Sequence, residues 1–242
     1  MNNTKFSYAA TTTERISFPL SVKVVMIDLD GTLLNTADDL ALAANLMLRA
    51  LSKPELSIAT IQSFIGKGIQ RLVERSLTGD IDGKPDAELL SKALPIYHRF
   101  YAENLCINTR PYPGVVDGIL NFKKAGFKLA CITNKSEIFT LPLLRATNLL
   151  DYFEIVLSGD SLSKKKPDPM PLLHICKHFS TQPQEALLIG DSLNDTIAAR
   201  AAGCYVFCVP YGYNEGRDVH KLDCDAIVES IVDTSKLLII KP

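Results

Sequence analysis

The chain alternates between short, continuously apolar runs and longer stretches in which apolar residues recur every three or four positions. The runs cover 22–27, 128–132, 154–157, 186–189 and 205–209, and branched residues such as Val22, Val24, Val25 and Ile27 favour strands. Runs without polar alternation predict strands buried on both faces, as in a parallel sheet. The stretches 115–124, 138–147, 170–178 and 194–202 predict helices between them. Together they predict an α/β fold with a doubly wound, mostly parallel sheet, a Rossmann-like core. The rhythm fails between 36 and 110, where helical patterns cover 38–51 and 88–101 and no strand is evident. About seventy-five residues are too many for one strand–helix connection. The segment therefore predicts a helical cap inserted after the first strand, and Pro111-Tyr112-Pro113-Gly114 marks the return. The expected domains are a polar N-terminal extension over 1–21, an α/β core over 22–35 and 111–242, and a helical cap over 36–110.

Composition narrows the choice of partner. Apolar residues make up 47% and charged residues 22%, an ordinary globular balance. A formal net charge of -1 gives no global basic field for a nucleic-acid backbone. No run approaches the roughly eighteen apolar residues of a membrane span. The Thr- and Ser-rich start lacks the apolar segment of a secretory signal, so a cytoplasmic protein is expected. Six cysteines occur without a C-x-x-C pair and read as packed, reduced thiols. His174 and His178 have metal-compatible i,i+4 spacing, but no glutamate follows His174 and no further ligand lies near. They predict a solvated helix face.

Four polar segments fall at predicted strand ends, the edge at which open α/β sheets bind ligands. In Asp28-Leu29-Asp30-Gly31-Thr32 the two carboxylates point to one side of an extended strand, and Gly31 permits a sharp departure. One such carboxylate can attack phosphorus. The other can protonate the departing alkoxide and later take a proton from water. A plain pair of turn carboxylates is the alternative. Thr133-Asn134 can hold a phosphoryl oxygen through a hydroxyl and backbone N–H groups. Within Lys164-Lys165-Lys166-Pro167-Asp168-Pro169, one inward lysine would neutralise phosphate while the other two stay solvated. The following proline keeps Lys166 extended and marks it as the inward one. In Gly190-Asp191-Ser192-Leu193-Asn194-Asp195, Asp191 offers Mg²⁺ a hard oxygen beside Asp28 and the Asp30 carbonyl. Asp195, one helical turn on, suits the orientation of Lys166 or a metal-bound water. Two helix-capping carboxylates are the competing reading.

These four segments, in this order, resemble the haloacid dehalogenase superfamily of phosphotransferases, and the likeness runs over 22–230. Within it, Phe64-Ile65-Gly66-Lys67-Gly68, Tyr112-Pro113-Gly114-Val115, Thr133-Asn134-Lys135, Lys165-Lys166-Pro167-Asp168-Pro169-Met170-Pro171-Leu172 and Tyr211-Gly212-Tyr213-Asn214 are similar to bacterial phosphoglycolate phosphatases. The resemblance implies Asp28 as nucleophile and Asp30 as general acid/base. It implies Thr133, Asn134 and Lys166 at the transferring phosphoryl group, and Mg²⁺ on Asp28, Asp30 and Asp191 with Asp195 in support. The cap loop departs from the usual Gly-Asn-Gly. Gly66, Lys67 and Gly68 stand there, which makes Lys67 the first candidate, and Arg71 the second, for a substrate carboxylate. The implied reaction is hydrolysis of a small-molecule phosphate ester, 2-phosphoglycolate foremost, by a monomer or homodimer that binds neither nucleic acid nor membrane. Another sugar or small-metabolite phosphate is the alternative ester. A sugar-phosphate mutase, a carbon–phosphorus hydrolase using a Lys67 Schiff base, and a non-catalytic binding module are the remaining alternatives.

Overall fold

A computed structural model describes residues 17–241 of the chain. Its strands are β1 (Leu20–Val22), β2 (Val24–Ile27), β3 (Leu34–Asn35), β4 (Arg110–Pro111), β5 (Lys128–Ile132), β6 (Ile155–Leu157), β7 (Ala186–Gly190), β8 (Tyr205–Cys208), β9 (Ala226–Ile227) and β10 (Leu238–Ile240). Its α-helices are α1 (Ala37–Ala50), α2 (Ile58–Ser63), α3 (Ile69–Thr78), α4 (Ala87–Glu103), α5 (Val115–Ala125), α6 (Glu137–Ala146), α7 (Met170–His178), α8 (Leu193–Ala202) and α9 (Ile231–Thr234).

Six strands form one parallel sheet in the order β6-β5-β2-β7-β8-β9. The chain builds outward from β2 through β5 to β6, then returns to β7 on the other side of β2. The winding therefore reverses beside β2, and at such a switch point the connections diverge and leave a crevice. Register decides what faces that crevice. Ile27 pairs with Cys131 on one side and Ile189 on the other. The residues that leave β2, β5 and β7 next thus emerge along one edge: Asp28, Thr133 and Asp191.

Helices cover both faces of the sheet, which explains the continuous apolar runs. Val25 and Ile27 pack with Phe122 and Leu144 on one face. Val24 and Met26 pack with Leu172, Ile175 and Ala198 on the other. The four helices α1 to α4 have a separate core that includes Ala44, Met47, Leu72, Val73 and Tyr97. The chain leaves for these helices and returns from them side by side, because β3 and β4 pair antiparallel. Buried Asp39 fastens this junction. Its Oδ1 accepts from the Asn108 N–H at 2.8 Å, and its Oδ2 from the Thr109 N–H at 2.9 Å and hydroxyl at 2.7 Å.

Three local readings change. The run 22–27 is not one strand: β1 ends at Val22 and β2 starts at Val24. β1 pairs instead with β10, so the C-terminal tail returns to the first strand. Of the polar extension expected over 1–21, residues 1–16 lie outside the described residues. The rest includes β1, whose Leu20 is buried. Helices α2 and α3 were not evident in the sequence pattern. His174 and His178 are exposed on α7, as expected of a solvated face. All six cysteines are free thiols, four of them buried. Among the described residues no helix is long and apolar enough to cross a membrane.

Candidate active site

At the switch point, Asp28, Asp191 and Asp195 bring carboxylate oxygens within 4.8 Å of one another. Lys166 comes from the loop before α7, and its buried ammonium joins two of them. It lies 2.6 Å from Asp195 Oδ1, 2.9 Å from Asp28 Oδ1, and donates to the Ile132 carbonyl at 2.9 Å. Lys165 and Lys164 are exposed. Asp195 has two tasks. Its Oδ1 holds Lys166, while its Oδ2 accepts from the Ser192 N–H at 3.1 Å and hydroxyl at 2.7 Å, capping α8. Asp195 thus contacts Lys166 and caps α8 at once.

Asp191 is held by a different set. The Thr32 hydroxyl donates to its Oδ1 at 3.1 Å, and the Tyr213 N–H donates to its Oδ2. Two glycines make room for it: a Cβ at Gly212, or at Gly31 with its φ of +86°, would overlap the Asp191 carboxylate. The tyrosine reaches further. Its hydroxyl donates to Asn35 Oδ1 at 2.7 Å and accepts from the Thr36 and Ala37 N–H groups at 2.8 and 3.0 Å. It thus caps α1, the first helix of the insertion, from the core side.

Electrostatics follows from this crowding. Burial pushes the Asp28 carboxyl up from 3.8 to about 7; Lys166 pulls it down and Asp195 pushes it further up. Asp191 is also raised well above the usual carboxylate range, first by burial and then by repulsion from Asp28 and Asp195. Burial alone would lower the Lys166 ammonium, but Asp195 and Asp28 more than offset that and hold it above its ordinary value.

Asp30 sits on the same cavity with other partners. The Thr36 hydroxyl donates to its Oδ1 at 2.7 Å, and Lys135 Nζ lies 3.1 Å from both of its oxygens. Thr133 is buried, and its Oγ1 accepts from the Lys135 N–H at 3.2 Å, which leaves its proton free to point into the cavity. Asn134 also lines the cavity, but its amide donates to the carbonyls of Gly66 at 3.1 Å and Lys166 at 2.9 Å. Its side chain ties the cap loop to the core and has no donor left for an oxyanion.

The cap loop divides. Gly66 and Gly68 line the cavity. Lys67 does not: its ammonium lies 3.4 Å from Glu215 and lines a neighbouring outer cavity. Arg71 is turned into the cap, donating to Ile81, Gly83 and Glu74 at 2.8–2.9 Å. Fully buried Arg75 contacts Glu215 at 2.6 Å and donates to the Phe64 carbonyl at 2.8 Å. Glu215 thus joins core and cap through Arg75 and Lys67. The sequence reading missed Lys135, Tyr213, Thr36, Asn194 and Glu215 as site residues. Lys135 directly follows the Thr133-Asn134 pair, and Tyr213 and Asn194 lie in segments already singled out. Glu215 carried no local signal.

The acids fit a hard cation. Three clustered carboxylates have beside them one ammonium that reaches only Asp28 and Asp195, an excess of negative charge that burial makes costly. Asp28 Oδ1 is buried with the Lys166 ammonium 2.9 Å away. Hard oxygen donors gathered within 4.8 Å of one another suit a divalent ion such as Mg²⁺.

Comparison with known proteins agrees with this geometry. The profile of the haloacid dehalogenase-like hydrolase family matches residues 25–209. The chain is 66% identical over 221 residues to a phosphoglycolate phosphatase of Nitrosospira multiformis, covering 91% of this chain and 97% of the relative. It is 57% identical over 222 residues to a phosphoglycolate phosphatase of Thiobacillus denitrificans, covering 92% and 98%. A crystal structure described as a predicted phosphoglycolate phosphatase from Haemophilus somnus superposes with a TM-score of 0.83 at 33% identity, covering 88% of this chain and 96% of the other.

Proposed function

We propose, from the premise that this chain belongs to the haloacid dehalogenase-like hydrolases and is a phosphoric monoester hydrolase, that it converts 2-phosphoglycolate to glycolate and inorganic phosphate through a phosphorylated Asp28. The observation that carries the mechanism is the Asp28 carboxylate, which lines the same cavity as Asp30, Thr133 and Lys166 and has its Oδ1 2.9 Å from the Lys166 ammonium. A carboxylate beside a buried ammonium can attack phosphorus there, because the ammonium offsets the charge of the anionic ester.

Phosphoryl transfer needs alignment and charge neutralisation more than covalent help. Asp28 attacks phosphorus, and Asp30 gives its proton to the departing glycolate oxygen. Lys166, fixed by Asp195, offsets the charge that builds on the phosphoryl oxygens, and the Thr133 hydroxyl donates to one of them. Asp30 then takes a proton from water as that water attacks the aspartyl-phosphate, and Asp28 is released. Mg²⁺, held by Asp28, the Asp30 carbonyl and Asp191 with Asp195 in support, would relieve the repulsion between an anionic nucleophile and an anionic ester. The Gly66 carbonyl accepts from Asn134 and also from Asn194 at 3.3 Å, so the cap loop closes over the cavity and limits bulk water.

A small ester is favoured by the cap wall, where Leu40, Ile65, Ile69 and Leu72 offer no polar group to sugar hydroxyls. The names of the relatives supply the choice of 2-phosphoglycolate. The test is phosphate release from a panel of esters with Mg²⁺. Expected is a kcat/KM for 2-phosphoglycolate at least about tenfold above those for hexose phosphates. A preference for a hexose phosphate would refute the substrate reading. Isomerised product without phosphate release would identify a mutase.

A further inference from the structure

We infer that Lys135, a core residue, is the cation that binds the substrate's carboxylate; this rests on the reading of the site as a hydrolase for a small phosphorylated acid. An anionic carboxylate entering a buried cavity needs a cation, since leaving it unpaired there is costly. Among the described residues that line the cavity, the only cations are Lys135 and Lys166. Lys166 is engaged with Asp28, Asp195 and the Ile132 carbonyl, where the phosphoryl group must react. The cap supplies none, because Lys67 and Arg75 are directed to Glu215 and Arg71 to cap carbonyls and Glu74.

The position of Lys135 suits the chemistry. Its ammonium touches both oxygens of Asp30 at 3.1 Å, and Asp30 must reach the ester oxygen to protonate it. In a two-carbon phosphorylated acid a single methylene separates that oxygen from the carboxyl carbon. Ordinary bond lengths put the two atoms about 2.4 Å apart. A group adjacent to the proton donor is therefore adjacent to the carboxylate. Lys135 is only 3% exposed, and its Nζ lies 4.8 Å from the centre of the Tyr101 ring. Packed this way, the side chain has little freedom to lose on binding. An ammonium has three donors, so it can serve Asp30 and the substrate together.

A role confined to Asp30 would look different. A lysine that only positions the acid acts on every ester alike, whereas one that binds the carboxylate acts on carboxylated esters alone. The experiment compares wild type, Lys135→Met and Lys135→Arg on 2-phosphoglycolate and on ethyl phosphate, which has no carboxylate. Lys135→Met is expected to lose about 100-fold in kcat/KM on 2-phosphoglycolate, mainly through KM. On ethyl phosphate it is expected to lose less than about tenfold, and Lys135→Arg to recover part of the preference. Circular dichroism and Mg²⁺ titration of each variant report whether fold and acid cluster persist. Equal losses on both esters in a folded Lys135→Met protein overturn the assignment while leaving the phosphatase reading intact. A wild type that turns over ethyl phosphate as well as 2-phosphoglycolate overturns the substrate reading and this inference with it.

Discussion

Removing the ability of Asp28 to ionise should stabilise the metal-free protein at neutral and alkaline pH. The comparison is wild type against Asp28→Asn in chelator. The unfolded carboxyl ionises near 3.8, and the folded one at about 7 because burial disfavours its charge. Between those values the native state binds more protons than the unfolded state, so stability falls as pH rises. At about 1.4 kcal/mol per pH unit the full effect is on the order of 4 kcal/mol, of which about 3 kcal/mol develops between pH 5 and pH 8. Asparagine keeps the shape without the charge and should not show this loss. For a chain of this size 3 kcal/mol corresponds to about 6–12 °C in Tm. Thermal unfolding of both proteins at the two pH values measures it. Mg²⁺ should then restore the wild type at pH 8 and do much less for the variant. Parallel pH profiles for the two proteins, with equal responses to Mg²⁺, would refute the account of a charge-strained acid cluster.

Two further outcomes follow from named contacts. Lys166→Met should lower kcat/KM by about 10² to 10³ in steady-state assays, since one preorganised cation is removed from the reacting group. It should also weaken folding at pH 8, because Asp28 and Asp195 are left uncompensated; an active, equally stable variant would contradict the role. Arg75→Met should cost about 2–4 kcal/mol in urea unfolding, as Glu215 and the Phe64 carbonyl lose a buried partner. An unchanged midpoint would show that this cap–core tie contributes little.

The parts of the molecule legible in the sequence were those set by local pattern. The central strands could be read because burial on both faces demands continuous apolar runs, and α7 spans 170–178 as its periodicity predicts. Strand-end acids were legible because a parallel sheet aligns its carboxyl ends. What was hidden depends on contacts between distant segments. β1 and β10 are three residues each and define one another, so neither signals alone. The direction of Lys67 was unreadable because Glu215, more than a hundred positions away, decides it. Lys135 stood in a quoted segment without a role, because its partners Asp30 and Tyr101 lie far from it in sequence.

The most direct test of the central claim is covalent. Wild type mixed with 2-phosphoglycolate and Mg²⁺, acid-quenched and digested, should yield a phosphorylated peptide that contains Asp28, read by mass spectrometry. Asp28→Asn should yield none and release no phosphate. A phosphoryl group on another residue, or full turnover by Asp28→Asn, would contradict the account.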